Sequence, residues 1–253
     1  MTEDFYRIKR LPPYVFEEVN KLKAKLRQQG RDVIDFGMGN PDMPTPQHII
    51  DKLVETAQKP KTNRYSASKG INGLRKAIGR YYERRFNVKL NPDTQVVATL
   101  GSKEGFANLA QAITGPGDVI LAPNPAYPIH AYGFIIAGGL IQAINAPDPQ
   151  TYLSGVAHAL ESTLPRPKAV VINYPSNPTA QMVGLDFYRD AVALARKHDV
   201  LILSDLAYSE IYFDEPAPSI LEVPGAIDIA VEVNSLSKTY AMAGWRVGMA
   251  VGN

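Results

Sequence analysis

A single lysine stands among hydroxyl groups near the end of the chain, and its type and surroundings suit covalent chemistry. Lys238 lies in Asn-Ser-Leu-Ser-Lys-Thr-Tyr, after the apolar run 229–233 and eight residues before Arg246. A deprotonated lysine attacks carbonyl carbons, and an arginine binds phosphate through a rigid fork of N–H donors. Taken alone, the same pair is equally consistent with a solvated surface.

Two further groups of polar residues follow apolar runs. Gly101 and Ser102 come after 96–100 and open a predicted helix, where free amides, a hydroxyl and the positive end of the helix dipole suit a phosphate. Asp205 comes after 200–203, with Tyr208 three residues later. Each group also has a structural interpretation, because Ser102 and Asp205 are both residue types that cap helices.

Two proline-rich turns present one further side chain each. Tyr127 lies in Pro-Asn-Pro-Ala-Tyr-Pro, and Asn177 lies in Tyr-Pro-Ser-Asn-Pro-Thr. Each turn alone indicates only a loop. Gly37-Met38-Gly39 lacks the third glycine of a dinucleotide fingerprint, and the chain contains no phosphate-loop motif, so nucleotide binding has no support from motifs.

The elements that must position these residues alternate along the chain. Apolar runs predict buried strands at 96–100, 119–122, 140–144, 169–173, 200–203, 229–233 and 247–251. Helical periodicity predicts helices at 14–29, 46–59, 71–86, 103–114, 152–164 and 185–198, with Thr45 as the cap of the second. The alternation predicts an α/β fold, a mostly parallel sheet with helices on both faces, whose ligand site lies at the carboxyl ends of the strands.

Composition narrows the class of protein. Of 253 residues, 45% are hydrophobic and 21% charged, which is typical of a globular chain. The net charge of +2 argues against a nucleic-acid partner. There is no cysteine, and the four histidines lie far apart, so we predict no disulfide and no metal site. The sequence has no apolar signal core and no membrane-length apolar segment, which predicts a cytoplasmic protein without membrane contact.

Taken together, the motifs resemble those of the class I/II aminotransferases, which are fold type I pyridoxal-phosphate enzymes. The motifs that carry the resemblance, in family order, are G-S-K-E-G, N-P-A-Y-P, P-S-N-P-T, D-L-A-Y and S-L-S-K-x-x-x-M-A-G-W-R. The N-terminal R-L-P-P-Y and M-G-N-P-D are most similar to the glutamate-pyruvate (alanine) aminotransferase subgroup and to related diaminopimelate aminotransferases. Ala180, after Asn-Pro-Thr where the wider family usually has glycine, fits the alanine subgroup.

The resemblance implies pyridoxal 5'-phosphate as the cofactor and assigns the catalytic residues Lys238, Asp205 and Tyr208. Lys238 would form a Schiff base with the cofactor aldehyde and then act as the base for the proton shift. Asp205 would pair with the ring nitrogen. Tyr208 and Asn177 would bond the phenolate oxygen of the ring, and Tyr127 would stack on the ring face.

The resemblance also implies the phosphate, subunit and substrate contacts. The phosphate contacts would be Gly101, Ser102, Lys103, Ser235, Ser237 and Arg246. Tyr65, in N-R-Y-S-x-S-x-G, is similar to a family tyrosine that reaches the phosphate of the second subunit, which implies a homodimer with shared sites. Tyr14 and Gly39 resemble substrate contacts.

The resemblance implies a domain organisation as well. Residues 1–40 would be an N-terminal arm and helix belonging to a small domain, and residues 41–253 the cofactor-binding large domain. Family members are longer at the carboxyl end, so we expect the chain to be cut short there, without the arginine that holds the substrate carboxylate. We therefore expect no appreciable transamination by this chain alone, and uncovered apolar surface around 247–251 and the first helix.

The reaction that the resemblance implies is transfer of an amino group between an L-amino acid and a 2-oxo acid, with alanine, pyruvate, glutamate and 2-oxoglutarate as first partners. A β-lyase or a decarboxylase on the same fold is the alternative enzyme, because all three share the cofactor residues. A cofactor-sensing module of a transcriptional regulator is a non-enzymatic alternative. It would require a DNA-binding domain, and residues 1–40 contain one predicted helix and no helix-turn-helix pair.

Overall fold

A seven-stranded sheet forms the centre of the protein. A computed structural model describes residues 5–37, 39–62 and 64–253. The strands are β1 (Val96–Thr99), β2 (Val119–Asn124), β3 (Leu140–Asn145), β4 (Pro167–Asn173), β5 (Leu201–Asp205), β6 (Ala230–Ser235) and β7 (Gly248–Gly252). Their order across the sheet is β1-β7-β6-β5-β4-β2-β3. The pairs from β6 to β3 are all parallel, whereas β7 runs antiparallel to both β6 and β1.

Helices connect the strands and cover the sheet. They are α1 (Val15–Gln28), α2 (Gln47–Ala57), α3 (Asn72–Phe86), α4 (Ser102–Ile113), α5 (Ile129–Ala137), α6 (Pro149–Ser162), α7 (Leu185–His198) and α8 (Leu236–Thr239). Short 3-10 turns lie at Ile220–Glu222, Ala226–Asp228 and Ala243–Trp245. The predicted α/β architecture, a mostly parallel sheet between layers of helix, is confirmed.

The core lies on both faces of the sheet because side chains alternate along each strand. On β2, for example, Leu121 packs into a cluster with residues of α3, α6 and α7. Its neighbour Ile120 packs on the other face with Phe106 of α4 and Phe134 of α5. Strands covered on both sides read as continuous apolar runs, which is why the sequence predicted them well.

Two local predictions need correction. Helix α5 was not predicted, because Ile-His-Ala-Tyr-Gly-Phe-Ile-Ile-Ala is apolar around almost its whole circumference and shows no amphipathic period. Thr45 does not cap α2. The helix starts after Pro46, and the Thr45 hydroxyl donates to the carbonyl oxygen of Ala241 at 2.9 Å.

The expectation of uncovered surface at 247–251 is wrong. β7 is an interior strand, paired on one side with β1 and on the other with β6. Met249 and Val251 are 3% and 2% exposed, so this run lies in the core. The apolar pattern correctly indicated a strand, but sequence order could not reveal that the seventh strand inserts between the first and the sixth.

The helices near the amino terminus lie outside this core. Neither α1 nor α2 contains a buried residue. The segment before α1 is tied to the sheet domain, since the Arg10 guanidinium donates to the Gly139 carbonyl oxygen at 3.2 Å. The division of the chain at residue 40 stays a prediction.

Within the described residues, no helix combines the length and the apolar character needed to cross a bilayer.

A buried carboxyl group joins four elements behind the sheet. Glu232 on β6 is fully buried and accepts hydrogen bonds from the Tyr82 hydroxyl (3.0 Å), the Ser204 hydroxyl (3.1 Å), the Ser219 hydroxyl (2.7 Å) and the Ile220 amide (3.3 Å). All four donors are neutral. Burial therefore dominates and raises the pKa of Glu232 to about 7, although the hydrogen bonds oppose the rise.

Glu232 makes folding stability depend on pH. Because its folded pKa of about 7 lies above the ordinary value of 4.5, the folded state binds the extra proton. Its contribution to the free energy of unfolding is therefore complete below pH 4.5. As pH rises through 7, this contribution falls by about 3 kcal/mol. We expect Glu232→Gln to remove this decline, as measured by urea unfolding at intervals from pH 4.5 to 8.

The amide of Glu232→Gln can satisfy the same partners, since its oxygen can accept from Ile220 and its nitrogen can donate to the hydroxyls of Tyr82 and Ser219. Glu83→Gln, which changes an exposed carboxyl on α3, is the matched control and should retain the wild-type slope. A Glu232→Gln protein with the same pH dependence as wild type would contradict the assignment.

Candidate active site

The predicted site residues gather where parallel strands end at one edge of the sheet. Asn173, Asp205 and Ser235 are the last residues of β4, β5 and β6. Parallel strands place their carboxyl ends along one edge, and ligands of open α/β sheets bind beyond that edge. The strand register thus brings together residues that lie far apart in sequence.

Asp205 is a buried carboxylate held on both oxygens. Its Oδ2 atom lies 2.9 Å from Nε2 of His130, and its Oδ1 atom accepts the amide hydrogen of Ala207 at 3.1 Å. Asp205 is 4% exposed and His130 is 0% exposed. The residues that follow Asp205 form a turn and not a helix, so the capping interpretation of this residue is wrong.

Sequence reasoning missed His130 as a site residue. It lies on α5, the helix that was not predicted, between Phe106 and Tyr127, with ring centroids 5.0 and 5.7 Å away. Its Nδ1 atom is buried and has no hydrogen-bond partner among the described residues. The signal that could have found it is a lone polar residue inside an apolar run, because such a residue needs a buried partner.

Tyr208 and Asn177 meet beside Asp205. The Asn177 side-chain amide donates to the Tyr208 hydroxyl at 3.4 Å. Burial raises the pKa of Tyr208, and the charge of Asp205 raises it further. Asn173, also missed from the sequence, links both segments: its amide donates to the Asp205 carbonyl oxygen at 2.9 Å, and its Oδ1 atom accepts the Asn177 amide hydrogen at 2.8 Å.

Lys238 projects from the short helix α8 into the same region. Its Nζ atom lies 5.7 Å from the centroid of the Tyr208 ring and donates to the Gly39 carbonyl oxygen at 3.4 Å. Partial burial lowers the pKa of the Lys238 amine, because removal from water disfavours its charged form. A larger fraction of this amine is therefore neutral, and so nucleophilic, than in an exposed lysine.

Arg246 and Gly101 form one wall of a candidate phosphate cradle, the group of donors around the start of α4 and the end of β6. The Arg246 guanidinium donates to the carbonyl oxygens of Leu100 (3.1 Å) and Ala243 (2.7 Å). Gly101 has φ +85°, a backbone conformation that favours glycine, and a Cβ there would displace the Arg246 guanidinium from its present position. On β7, Gly248 packs so closely that a Cβ would lie 2.8 Å from the Ser102 amide nitrogen and 2.9 Å from the Asn234 carbonyl oxygen.

Hydroxyl and amide donors complete the cradle. Ser102 is the first residue of α4 and makes no side-chain capping bond, so its interpretation as a cap is wrong. The first amides of a helix have no intrahelical acceptor and are free for a ligand. Ser235 donates its hydroxyl hydrogen to Oγ of Ser237 at 2.9 Å, which holds both side chains together at the end of β6.

The Tyr127 ring packs against His130, with ring centroids 5.7 Å apart. Burial raises the pKa of Tyr127 to about 12, with further effects from Tyr14, Asp205 and Tyr208, and an opposing effect from Arg246. At the rim, the Lys103 Nζ atom lies 5.7 Å from the centroid of the Tyr14 ring.

One predicted site residue lies apart from the others. Tyr65 stands on the loop between α2 and α3, and its side chain is fully exposed. Within the described residues, no hydrogen bond or ring contact joins Tyr65 to the residues around Lys238. The role predicted for Tyr65 stays a prediction.

The donor set fits pyridoxal 5'-phosphate. A guanidinium, two serine hydroxyls and a helix N-terminus suit a dianionic phosphate, and Gly101 leaves the space beside the Arg246 guanidinium free of a Cβ atom. The amine of Lys238 suits an aldehyde, and the buried carboxylate of Asp205 suits a protonated ring nitrogen. All three features lie at one edge of the sheet.

Comparison with known families gives an independent finding. Residues 31–253 match the family described as Aminotransferase class I and II. AatC of Rhizobium meliloti (strain 1021) is 63% identical over 252 residues, covering 99% of this chain and 62% of AatC. Glutamate-pyruvate aminotransferase AlaC of Escherichia coli (strain K12) is 49% identical, covering 98% of this chain and 61% of AlaC.

Other relatives point to a second substrate class within the same family. LL-diaminopimelate aminotransferase of Aquifex aeolicus (strain VF5) is 46% identical, covering 98% of this chain and 64% of the relative. Substrate-bound BacF from Bacillus subtilis superposes with a TM-score of 0.89 at 33% identity, covering 100% of this chain and 64% of BacF. The chain thus spans a little under two thirds of the length of the relatives it matches.

Proposed function

This chain belongs to the class I and II aminotransferases, and from that premise we propose that it forms the cofactor site of an enzyme that moves an amino group between an L-amino acid and a 2-oxo acid. The observation that carries the proposal is the meeting, at one sheet edge, of the Lys238 amine, the buried Asp205 carboxylate and the Arg246 cradle. The cofactor of the family is pyridoxal 5'-phosphate, and the residues of this chain fit it.

When bound, pyridoxal 5'-phosphate supplies an electron-poor ring that accepts the electron pair released when the Cα–H bond of an amino acid breaks. Lys238 would hold the cofactor covalently and, once released, carry the proton from the substrate Cα. Asp205 would keep a proton at the ring nitrogen, and His130 would hold the Asp205 carboxylate in place. Tyr208 and Asn177 would donate to the ring oxygen.

The remaining residues would hold and orient the cofactor. Tyr127 would stack on the ring face. The phosphate would be held by the backbone, hydroxyl and cationic donors of Gly101, Ser102, Lys103, Ser235, Ser237 and Arg246. Tyr14 and Gly39 would contact the substrate. For Gly39 this role is supported by its closeness to the catalytic amine, since its carbonyl oxygen accepts a hydrogen bond from Lys238.

For the substrate we propose alanine and pyruvate with glutamate and 2-oxoglutarate, supported by the 49% identity to AlaC. LL-diaminopimelate is the second candidate, supported by the 46% identity to the Aquifex aeolicus enzyme. Both relatives are named as aminotransferases, so neither favours a β-lyase or a decarboxylase.

Parallel assays test the proposal. The protein extended at its carboxyl end to the length of its relatives is loaded with pyridoxal 5'-phosphate and incubated with 2-oxoglutarate and either L-alanine or LL-diaminopimelate, with glutamate production as the readout. The rates discussed below are those of this extended protein. A kcat/KM at least tenfold higher with alanine supports the first candidate. The reverse ratio supports the second. Carbon dioxide or ammonia release without glutamate would overturn transamination.

We also propose a homodimer in which Tyr65 contacts the phosphate of the opposite subunit. A hybrid dimer of one Tyr65→Phe chain and one Lys238→Ala chain, purified through two different tags, should then contain one site with both its Tyr65 and its Lys238. The cofactor concentration that gives half-maximal labelling of Lys238 after borohydride treatment should therefore be the same in the hybrid as in wild type.

The Tyr65→Phe homodimer is the reference for this experiment. If Tyr65 serves its own chain, the hybrid's only Lys238 belongs to the chain that carries the Tyr65→Phe change, and the hybrid's affinity should equal that of the Tyr65→Phe homodimer. A hybrid with that weaker affinity would contradict the shared site.

A further inference from the structure

Contacts of the loop backbone, and not of the Tyr65 ring, must position Tyr65. The Tyr65 side chain is fully exposed, so contacts of its own ring do not set its orientation. An exposed side chain that must meet a ligand with defined geometry depends on the rigidity of the segment beneath it, since ordering a free loop on binding reduces affinity. The contacts of the chain segment between Tyr65 and α3 therefore limit the positions that Tyr65 can take.

The carboxyl end of this loop is pinned to the edge strand of the sheet. The Ala98 amide of β1 donates to the Lys69 carbonyl oxygen at 2.9 Å, which extends the sheet pairing by one bond. Gly70 closes a turn by donating to the Ala67 carbonyl oxygen at 2.8 Å. It adopts φ +89°, and a Cβ there would lie 2.5 Å from the Ala98 Cβ, so the loop packs directly on the strand.

Arg75 clamps the same point from α3. Its Nε atom donates to the Gly70 carbonyl oxygen at 3.2 Å. Its Nη1 atom donates to the Pro92 carbonyl oxygen and to Oδ1 of Asp93, the latter at 2.8 Å. The side chain is 13% exposed, although its partner Asp93 is largely in water. One planar guanidinium thus joins the end of the Tyr65 loop to the turn that precedes β1.

We propose that Arg75 is a positioning residue for the cofactor phosphate, acting through Tyr65. This inference rests on the proposed function, in which Tyr65 contacts the phosphate. The fork geometry is what the clamp requires, because Nε and Nη1 point to two different chain segments at once. A lysine amine is a single point and cannot span the Gly70 and Pro92 carbonyls in the same way.

Affinity measurements with two ligands test the proposal on the full chain. Pyridoxal 5'-phosphate and pyridoxal, which lacks the phosphate, are titrated by absorbance into wild type, Tyr65→Phe, Arg75→Met and the double variant. We expect Arg75→Met to weaken binding of the phosphorylated ligand about tenfold and to leave pyridoxal binding within twofold of wild type. The affinity of the double variant for pyridoxal 5'-phosphate should equal that of whichever single variant binds it less tightly, because both changes remove the same contact.

Arg75→Lys is the second variant, in case Arg75→Met does not fold, since it keeps the charge and much of the length of the side chain. It should still weaken binding of the phosphorylated ligand at least threefold, and Lys76→Met on the exposed side of α3 should not. Additive losses in the double variant, equal losses with pyridoxal, or wild-type affinity of Arg75→Lys would overturn the positioning role. Wild-type affinity of Tyr65→Phe would instead overturn the Tyr65 contact itself, and the positioning role with it.

Discussion

Lys238→Ala in the extended protein is expected to lower the rate of transamination by about 10²- to 10⁴-fold, the range for loss of a positioned general base. The same change removes the lysine amine that lies beside the Tyr208 ring, 5.7 Å from its centroid. Borohydride reduction of the cofactor-loaded wild-type protein should fix a pyridoxyl group on Lys238, and the Lys238→Ala protein should retain none. Peptide mapping after proteolysis identifies the labelled residue, and single-turnover kinetics with alanine measure the loss of rate.

Lys168→Ala is the matched control for this change. Lys168 lies near the start of β4, at the opposite edge of the sheet, where it pairs with Asp118 at 2.8 Å. Its loss should leave both label and rate unchanged. Labelling of Lys103, at the rim of the site, in place of Lys238 would refute the assignment of the catalytic amine.

Asp205→Asn is expected to lower the rate by about 10²- to 10³-fold, the range for loss of one preorganised electrostatic partner in a buried site. The carboxylate lies at the end of β5 and is oriented by His130 at 2.9 Å, so an amide of the same shape can occupy its place without its charge. Cofactor affinity should fall much less than the rate, because Lys238 and the phosphate donors remain. Half-reaction rates with alanine and equilibrium dialysis of the cofactor separate the two effects.

Asp190→Asn, an exposed change on α7, should alter neither quantity. A rate for Asp205→Asn within threefold of wild type would show that Asp205 has a structural role only. An equal loss of rate and cofactor affinity would show that it anchors the ring and does not act on the chemistry.

The fold was largely predictable because the strands between β1 and β3 in the sheet are mostly buried on both faces and its longer helices are amphipathic. Strands such as Val119–Asn124 appear in the sequence as plain apolar runs. Helix α5 was missed because burial on nearly all sides removes the periodic signal on which helix prediction depends. The place of β7 between β1 and β6 was also out of reach, since apolar patterning identifies a strand without naming its neighbours.

The candidate site divides in the same way. Lys238, Asp205 and Arg246 belong to motifs with family spacing, so they could be found from the sequence. His130 and Asn173 act by touching Asp205, and their contacts exist only after α5 and β4 have packed against β5. Residues whose role is to hold another residue carry no local motif. Their role is visible only in the folded protein.

The antiparallel insertion of β7 constrains the order in which the protein can fold. β1 contacts the rest of the sheet through β7, which follows it in the chain by about 150 residues. During synthesis from the amino terminus, β2 to β6 can pair as they emerge, but β1 and the Gly101–Ser102 turn after it must wait for residues 248–252. Closing so long a loop is slow, and the unpaired edges of β1 and β6 stay open to misassociation until then. The phosphate cradle should therefore be the last part of the nascent domain to form, so cofactor binding would report completion of the sheet.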